Sequence, residues 1–181
     1  MPATPPTDLL TRDSPQGRLV LSGLILGSAV AILDGSVVNV ALRTIGSDLG
    51  ASLAQLQWVV NGYLLALASL VLVGGALGDR LGRRRVYQVG VTWFMVASVL
   101  CALAQSPGQL IALRVLQGVG AALLTPGALA LIQSAFRVED RAAAIGTWAG
   151  VSGVAAAVGP LLGGWLVDHA ISVPARIHAM D

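Results

Sequence analysis

Two ionisable residues, Asp34 and Arg114, interrupt long apolar segments of the sequence. A charge near the centre of a membrane helix costs about 2.5–3.5 kcal/mol on insertion scales, so such a residue is a functional candidate by default. At a rise of about 1.5 Å per residue, Asp34 lies about 12 Å and Arg114 about 8 Å from the nearer end of their segments. At similar depths the two residues could pair or face one shared aqueous cavity, and either arrangement would serve to couple proton or substrate movement. The alternative is a static ion pair that fixes helix packing.

Four uncharged polar side chains also fall within the apolar segments. Each is a candidate for lining a polar cavity beside the charged pair. The alternative for the amides is a hydrogen bond that joins two helices, worth about 0.6 kcal/mol on average in membranes. The sequence leaves both alternatives open for Asn39, Asn61, Tyr63 and Gln117.

Residue counts disfavour chemistry based on cysteine, histidine or a metal. The sequence has one cysteine, Cys101, and its two histidines fall within the last thirteen residues. Neither a disulfide framework nor a cysteine metal site can form within one such chain. The apolar segments contain no histidine, and no serine there has a base at a recognisable spacing. We therefore expect no enzyme, no metal and no cofactor.

The composition is that of an integral membrane protein. Hydrophobic residues make up 55% of the 181 residues and charged residues only 11%, whereas a soluble domain has roughly 25% charged residues. These values exclude a soluble globular enzyme, a disordered chain and a coiled coil. Nucleic-acid binding needs a basic surface stripe. The net charge here is only +2, with one short arginine cluster, so we expect no nucleic-acid partner.

Five apolar segments reach the roughly 20 residues that a membrane-spanning helix needs. They predict an all-α, polytopic helical bundle in the lipid bilayer, with small residues spaced for close helix packing. We expect a flexible cytoplasmic tail over residues 1–17, a five-helix unit over 18–167 and an atypical extracytoplasmic tail over 168–181. The predicted spans are Leu19–Leu42, Trp58–Leu77, Val86–Gln105, Gln109–Ile132 and Ala142–Val167.

Arginine placement predicts the orientation, because cytoplasmic loops of membrane proteins are enriched in Lys and Arg. With the N-terminus inside, eight of the eleven arginines fall in inner segments and two, Arg43 and Arg176, in outer ones. We therefore expect a cytoplasmic N-terminus. A cleavable signal peptide is the alternative for the first segment, because Ala29–Ala31 resembles a cleavage site. The apolar run continues to Val40, however, and four more spans follow.

The segment Gly78–Tyr87 must reverse the chain between two antiparallel helices. Gly78 and Gly82 permit backbone conformations that other residues rarely adopt, and we expect Asp79 to cap the amides of the third span. The four arginines favour the cytoplasmic side and can bind anionic headgroups. Topology alone would require only the positive charge, so it does not explain the order Gly-Asp-Arg-x-Gly.

These segments resemble motifs of the major facilitator superfamily of secondary transporters, particularly its fourteen-helix group of proton-linked multidrug antiporters. The resemblance covers about residues 33–164, with the motifs in the family's order and on the corresponding helices. The matching motifs are Leu33–Leu42, Trp58–Leu65, Gly75–Arg85, Leu110–Ala122, and Gly146 together with Gly159–Gly164.

The resemblance implies roles for individual residues. Asp34 and Arg114 would couple substrate movement to a proton gradient, which is the energy source in place of a cofactor. The cytoplasmic gating loop would comprise Gly75, Asp79, Arg80, Gly82, Arg83 and Arg84. Helix packing or bending would depend on Gly118, Gly146, Gly159, Pro160, Gly163 and Gly164.

The resemblance also implies the N-terminal part of a proton-coupled multidrug efflux transporter of the cell membrane. Such a protein exports lipophilic or cationic drugs by alternating access between two halves, with the binding site between them. The missing C-terminal half is then an expected partner, and we expect a truncated or frame-shifted reading frame. The alternatives are another porter of the family that carries a small metabolite, and a non-transporting, truncated membrane subunit.

Overall fold

A computed structural model describes residues 9–178, with the side chains of 9–165 and 169. Over this range the fold is all-α, and the prediction of a five-helix membrane bundle is confirmed. The helices are α1 Pro15–Leu49, α2 Leu53–Leu81, α3 Arg83–Ala102, α4 Pro107–Ala135 and α5 Val138–His178. All five contain a stretch that is long and apolar enough to cross a membrane, and in α5 this stretch lies within Val138–Trp165.

Three of the helices begin directly after a serine that caps the helix N-terminus. Ser14, Ser52 and Ser106 precede α1, α2 and α4, and each side chain accepts a hydrogen bond from a backbone N–H of the first turn. Such a cap satisfies one of the N–H groups that have no partner within the helix. At Ser52 the cap is reciprocal, because the Gln55 side chain accepts from the Ser52 backbone. Helix α1 ends at Gly50, whose φ of 61° is left-handed.

The turn between α2 and α3 consists of Gly82 alone, at a φ of 97° that a residue with a Cβ rarely adopts. No side chain caps the start of α3. Asp79 instead lies in the last turn of α2, where its carboxylate accepts a hydrogen bond from Nε of Arg83 at 3.0 Å. The prediction that Asp79 caps the third span is therefore wrong, because α2 extends past Asp79 and the carboxylate is bound by a guanidinium.

Helix α4 is the centre of the bundle. It packs most extensively against α2 and α3, whereas α5 packs mainly along α1. Short turns join the helices, so consecutive helices alternate in direction. Residue 9, the α2–α3 turn and the α4–α5 turn therefore share one end of the bundle, which we call the N-terminal end. The α1–α2 and α3–α4 turns form the opposite end.

A proline and a glycine explain the close contact of α2 with α4. Pro126 lies inside α4 and has no N–H to donate to the carbonyl oxygen of Ala122, four residues earlier. Gly74 of α2 faces this oxygen so closely that a Cβ at position 74 would overlap it. Gly75, predicted as part of the gating loop, lies inside α2, where a Cβ would be 3.9 Å from Cβ of Pro126.

The residues predicted for helix packing or bending fall into two groups. Gly118 faces α2, and Gly159 and Gly163 face α1, all at distances where a Cβ would crowd the neighbouring helix. Gly146 and Gly164 have no atom within 4 Å of an added Cβ. Pro160 is exposed on α5, which continues through it as a helix. The contacts therefore support a packing role for three of the six positions.

The chain before α1 is bound to the α4–α5 turn. The backbone N–H of Leu10 donates to the carbonyl of Ala135 at 2.8 Å, and Arg137 donates back to Leu10 at 3.1 Å. The Arg12 N–H donates to a carboxylate oxygen of Asp140 at 3.1 Å. Residues 9–14 thus differ from the flexible tail predicted over 1–17, while 1–8 lie outside the described residues. In the predicted tail 168–181, α5 continues to His178, and 179–181 are not described.

The contact at Gly74 predicts a sharp difference between two glycine substitutions. Gly74→Ala is expected to lower the free energy of unfolding by about 1–3 kcal/mol, because the added methyl forces α2 and α4 apart. Gly23→Ala is the matched control within α1, since a Cβ there meets nothing within 4 Å. Unfolding of the detergent-solubilised chain, followed by tryptophan fluorescence, measures both. Equal stability of the two variants would contradict the packing described here.

Candidate functional site

A buried ion pair joins α1 to α4. Nη1 of Arg114 donates to Oδ2 of Asp34 at 2.6 Å. The Arg114 side chain is 4% exposed and that of Asp34 is 18% exposed. The two charged residues that interrupt the apolar segments are therefore in direct contact, and the carboxylate is the more accessible partner.

Gln117 completes a closed set of hydrogen bonds around this pair. It lies three residues after Arg114, so both side chains project from the same face of α4. Its Oε1 accepts from Nη1 of Arg114 at 2.5 Å. Its Nε2 donates to Oδ1 of Asp34 at 2.8 Å and to the hydroxyl of Ser98 on α3 at 2.6 Å. Gln117 is completely buried, and both the oxygen and the nitrogen of its amide form hydrogen bonds.

Helix α2 supplies the remaining contacts of the guanidinium. Nε of Arg114 donates to the carbonyl oxygen of Val59 at 3.4 Å, and its Cζ lies 4.4 Å from the ring centre of Tyr63. A cation over an aromatic face contributes about 2 kcal/mol or more when both groups are desolvated. Gly118 allows this approach, because a Cβ there would lie 2.6 Å from the carbonyl oxygen of Tyr63. We call Asp34, Tyr63, Ser98, Arg114 and Gln117 the polar cluster.

A cavity of about 430 Å³ leads from the polar cluster toward the opposite end of the bundle. Asp34 and Arg114 line it deep between the helices, and Asp48 lines it near the end of α1. Apolar residues form most of the remaining wall. They include Val38, Ile45, Leu49, Val59, Ala102, Ala104 and Leu110. The carboxylate of Asp34 is therefore the charged group that a solute or proton would meet at the base of this cavity.

The chemistry of the polar cluster rests on one group. Arg114 stays charged at any ordinary pH, and the glutamine and serine do not ionise. Asp34 can take up a proton, and in doing so it withdraws the counter-charge from Arg114. A cation that entered the cavity would compete with Arg114 for the same carboxylate. Over the described residues, no group of three or more His, Cys, Asp or Glu side chains could hold a metal ion.

The structure does not bring all predicted cavity residues into the cluster. Asn39 is exposed, and its amide donates to the Gly35 carbonyl of its own helix at 2.9 Å. Asn61 is exposed on α2. Ser98 was missed by the sequence analysis, although its spacing of three from Cys101 places both on one face of α3. Cys101 also contacts Gln117, with its sulfur 3.8 Å from Oε1.

The predicted gating residues lie at the N-terminal end, remote from the cluster. Arg83 binds Asp79, and its Nη1 donates to the carbonyl oxygen of Ala130 on α4 at 3.1 Å. Arg80 and Arg84 are exposed. The α2–α3 turn is thereby attached to α4 through a single arginine.

A charge pair that lies among helices of membrane-spanning length, with a cavity that reaches it from one end, is typical of a polytopic membrane protein with a functional site between its helices. The sequence model of the Major Facilitator Superfamily matches residues 24–175. The chain belongs to this superfamily, whose members are transporters and not enzymes, and the family predicted from the motifs is confirmed.

Relatives of the chain include export and resistance proteins. It is 42% identical over 177 residues to a probable actinorhodin transporter of Streptomyces coelicolor, covering 91% of this chain and 31% of that protein. It is 45% identical over 158 residues to the methylenomycin A resistance protein of Bacillus subtilis, covering 87% of this chain and 34% of that protein. The chain thus spans about a third of the length of these relatives.

A solved structure shows the same arrangement of helices. It is the crystal structure of a bacterial homologue of the human lysosomal transporter Spinster, in an inward-facing and occupied conformation. The TM-score is 0.70 at 26% sequence identity, and the match covers 83% of this chain and 32% of that chain.

The ion pair predicts an asymmetric response to neutralisation. Asp34→Asn is expected to cost about 3–5 kcal/mol of stability, because it leaves a buried guanidinium that cannot lose its proton. Arg114→Gln is expected to cost less, since Asp34 can take up a proton and faces the cavity. The double variant should be more stable than the sum of the single effects predicts. Unfolding of the solubilised chain measures all three variants.

Asp48→Asn is the matched control for this cycle. Asp48 lines the same cavity from the same helix, but it is exposed and has no ion pair within residues 9–178. Its substitution should leave stability unchanged. Strictly additive effects of the two cluster variants would contradict the coupling.

Proposed function

We propose that the chain forms the N-terminal part of a proton-coupled drug exporter of the cell membrane, with its N-terminus in the cytoplasm. The observation that carries this proposal is the ion pair of Asp34 with Arg114 at the base of a cavity that leads to one end of the bundle. The export and resistance proteins among the relatives support a drug as the substrate.

The arginines support the proposed orientation. Exposed arginines at the N-terminal end are Arg18, Arg80, Arg84, Arg85 and Arg137, whereas Arg43 is exposed toward the opposite end. Because cytoplasmic segments are enriched in Arg, the N-terminal end is the cytoplasmic end in this proposal. The cavity that reaches Asp34 then leads outward.

The proposed coupling step uses the exchange of partners around Arg114. A proton that enters from the outside neutralises Asp34, so that the carboxyl group no longer holds the guanidinium. Gln117, the Val59 carbonyl and the Tyr63 ring remain as partners of Arg114 on α4 and α2. The contact between α1 and α4 weakens, and release of the proton to the cytoplasm restores it.

The proposed substrates are lipophilic or cationic small molecules. The cavity volume of about 430 Å³ lies within the range of about 300–1,000 Å³ that is usual for sites of small ligands. Its wall is mostly apolar, which suits lipophilic molecules without fixing their shape, and the carboxylates of Asp34 and Asp48 favour a cation.

The proposal also assigns roles to the residues that the sequence predicted for gating and for helix packing or bending. The cytoplasmic gate consists of the α2–α3 turn at Gly82 and the flanking residues Asp79, Arg80, Arg83 and Arg84, and the C-terminal half of the transporter is its partner. Close approach of α5 to α1 depends on the glycines that face α1. Pro160 beside Gly159 provides the position at which α5 bends during alternating access.

A chimera tests the proposed function. The segment of this chain that matches the Bacillus subtilis methylenomycin A resistance protein replaces the corresponding segment of that protein, in a host that lacks its own exporter. We expect the chimera to confer resistance and to move protons when drug is added to inverted vesicles. Asp34→Asn should reduce both to the level of the empty vector, because the coupling carboxylate is lost. Glu139→Gln, which removes an exposed carboxylate outside the cavity, should leave both intact.

Immunoblots of the membrane fraction measure the amount of each chimera, because loss of function must be distinguished from loss of protein. An Asp34→Asn chimera that is present at the normal level and still confers full resistance would overturn the proposed role. A chimera that carries the drug without proton movement would favour another porter of the family. Chimeras that fold but never transport, beside a chain that forms a stable complex alone, would favour a non-transporting subunit.

A further inference from the structure

A shallow groove of about 580 Å³ lies at the N-terminal end, between the α2–α3 turn and the last turns of α4. Three consecutive arginines and a glycine form one wall, and two leucines and a serine form the rest. The lining residues are Leu81, Gly82, Arg83, Arg84, Arg85, Leu131 and Ser134. The groove is separate from the cavity that contains Asp34.

One arginine of this groove has hydrogen-bond partners within the protein, and the other two have none among the described residues. The guanidinium of Arg83 is held by Asp79 and by the Ala130 carbonyl. Arg84 and Arg85 are exposed, and neither has a hydrogen bond or ion pair in the part of the chain that the structure describes. Two guanidinium groups therefore face the groove without a counter-charge from the described residues.

The backbone adds to this positive potential. Helix α3 begins at Arg83 and has no side-chain cap, and its first intrahelical bond is from the N–H of Val86 to the Gly82 carbonyl at 3.1 Å. The N–H groups of the three arginines therefore have no acceptor within α3. Such N-termini attract anions, because the free N–H groups and the helix dipole both favour negative charge.

The apolar part of the groove points to an amphiphilic ligand. Leu81 is 59% exposed beside the arginines, and Leu131 of α4 continues the apolar wall. Both lie near the ends of helices that are long enough to span a membrane, so we expect the groove at the level where the headgroups of a bilayer meet its acyl chains. A free phosphate would use the arginines alone, whereas a phospholipid uses both walls.

We propose that this groove binds the phosphodiester headgroup of an anionic phospholipid. Arg84 and Arg85 contact the phosphate oxygens, the N-terminus of α3 adds backbone donors, and the first acyl carbons lie on Leu81. The proposal concerns lipid binding by the chain itself and does not depend on transport.

Lipid binding to the purified, detergent-solubilised chain tests the site by native mass spectrometry. Phosphatidylglycerol is compared with phosphatidylcholine of the same acyl chains, and we expect a preference for the anionic lipid. The double variant Arg84→Gln/Arg85→Gln should lower this preference by roughly tenfold or more, since each basic residue near a membrane surface contributes about 1 kcal/mol. Arg84→Lys/Arg85→Lys should retain most of it.

Arg18→Gln/Arg137→Gln is the matched control, because both residues are exposed at the same end but do not line the groove. It removes the same charge and should keep the wild-type preference. Equal loss in the control would overturn the site in favour of a general charge effect. Full competition by glycerol phosphate would overturn the lipid as ligand in favour of a soluble anion, and unchanged binding by the Arg84/Arg85 variant would overturn the site itself.

Discussion

The guanidinium of Arg114 is the constraint on which the rest of the bundle depends. It is buried in a membrane-length helix and cannot become neutral by losing its proton, so the surrounding helices must supply partners in the folded state. Asp34 neutralises its charge, Gln117 and the Val59 carbonyl each accept a hydrogen bond from it, and Tyr63 covers its face. These partners set the contacts of α4 with α1 and α2.

The close packing of the helices follows from the same requirement. An arginine on α4 reaches a backbone carbonyl of α2 only if the two helix axes approach closely, and small residues at the contact allow that. Gly118 provides the space beside the cluster, and Gly74 provides it nearer the N-terminal end, where Pro126 prevents a helix hydrogen bond to the Ala122 carbonyl. The polar cluster and the glycine contacts are therefore parts of one arrangement.

Features that depend on a single residue in one helix could be predicted from the sequence. Features that depend on contacts between two helices could be predicted less well. Asp34 and Arg114 were evident because a charge in an apolar segment is costly wherever the segment lies. Gln117 was left open, because Asp34 and Ser98, to which its amide donates, lie on other helices, and Ser98 was missed because a serine in a membrane helix is common. The predicted cap by Asp79 failed because the length of α2 depends on its packing against α4, which local patterns do not contain.

The packing places Asp34 at the boundary between two groups of helices. Helices α2, α3 and α4 pack together on one side and α1 with α5 on the other, with much less contact between the two groups. Asp34 belongs to the second group, and its partners Arg114 and Gln117 belong to the first. The hydrogen bonds of Asp34 to Arg114 and Gln117 therefore join the two groups across a boundary that has fewer contacts than the interior of either group.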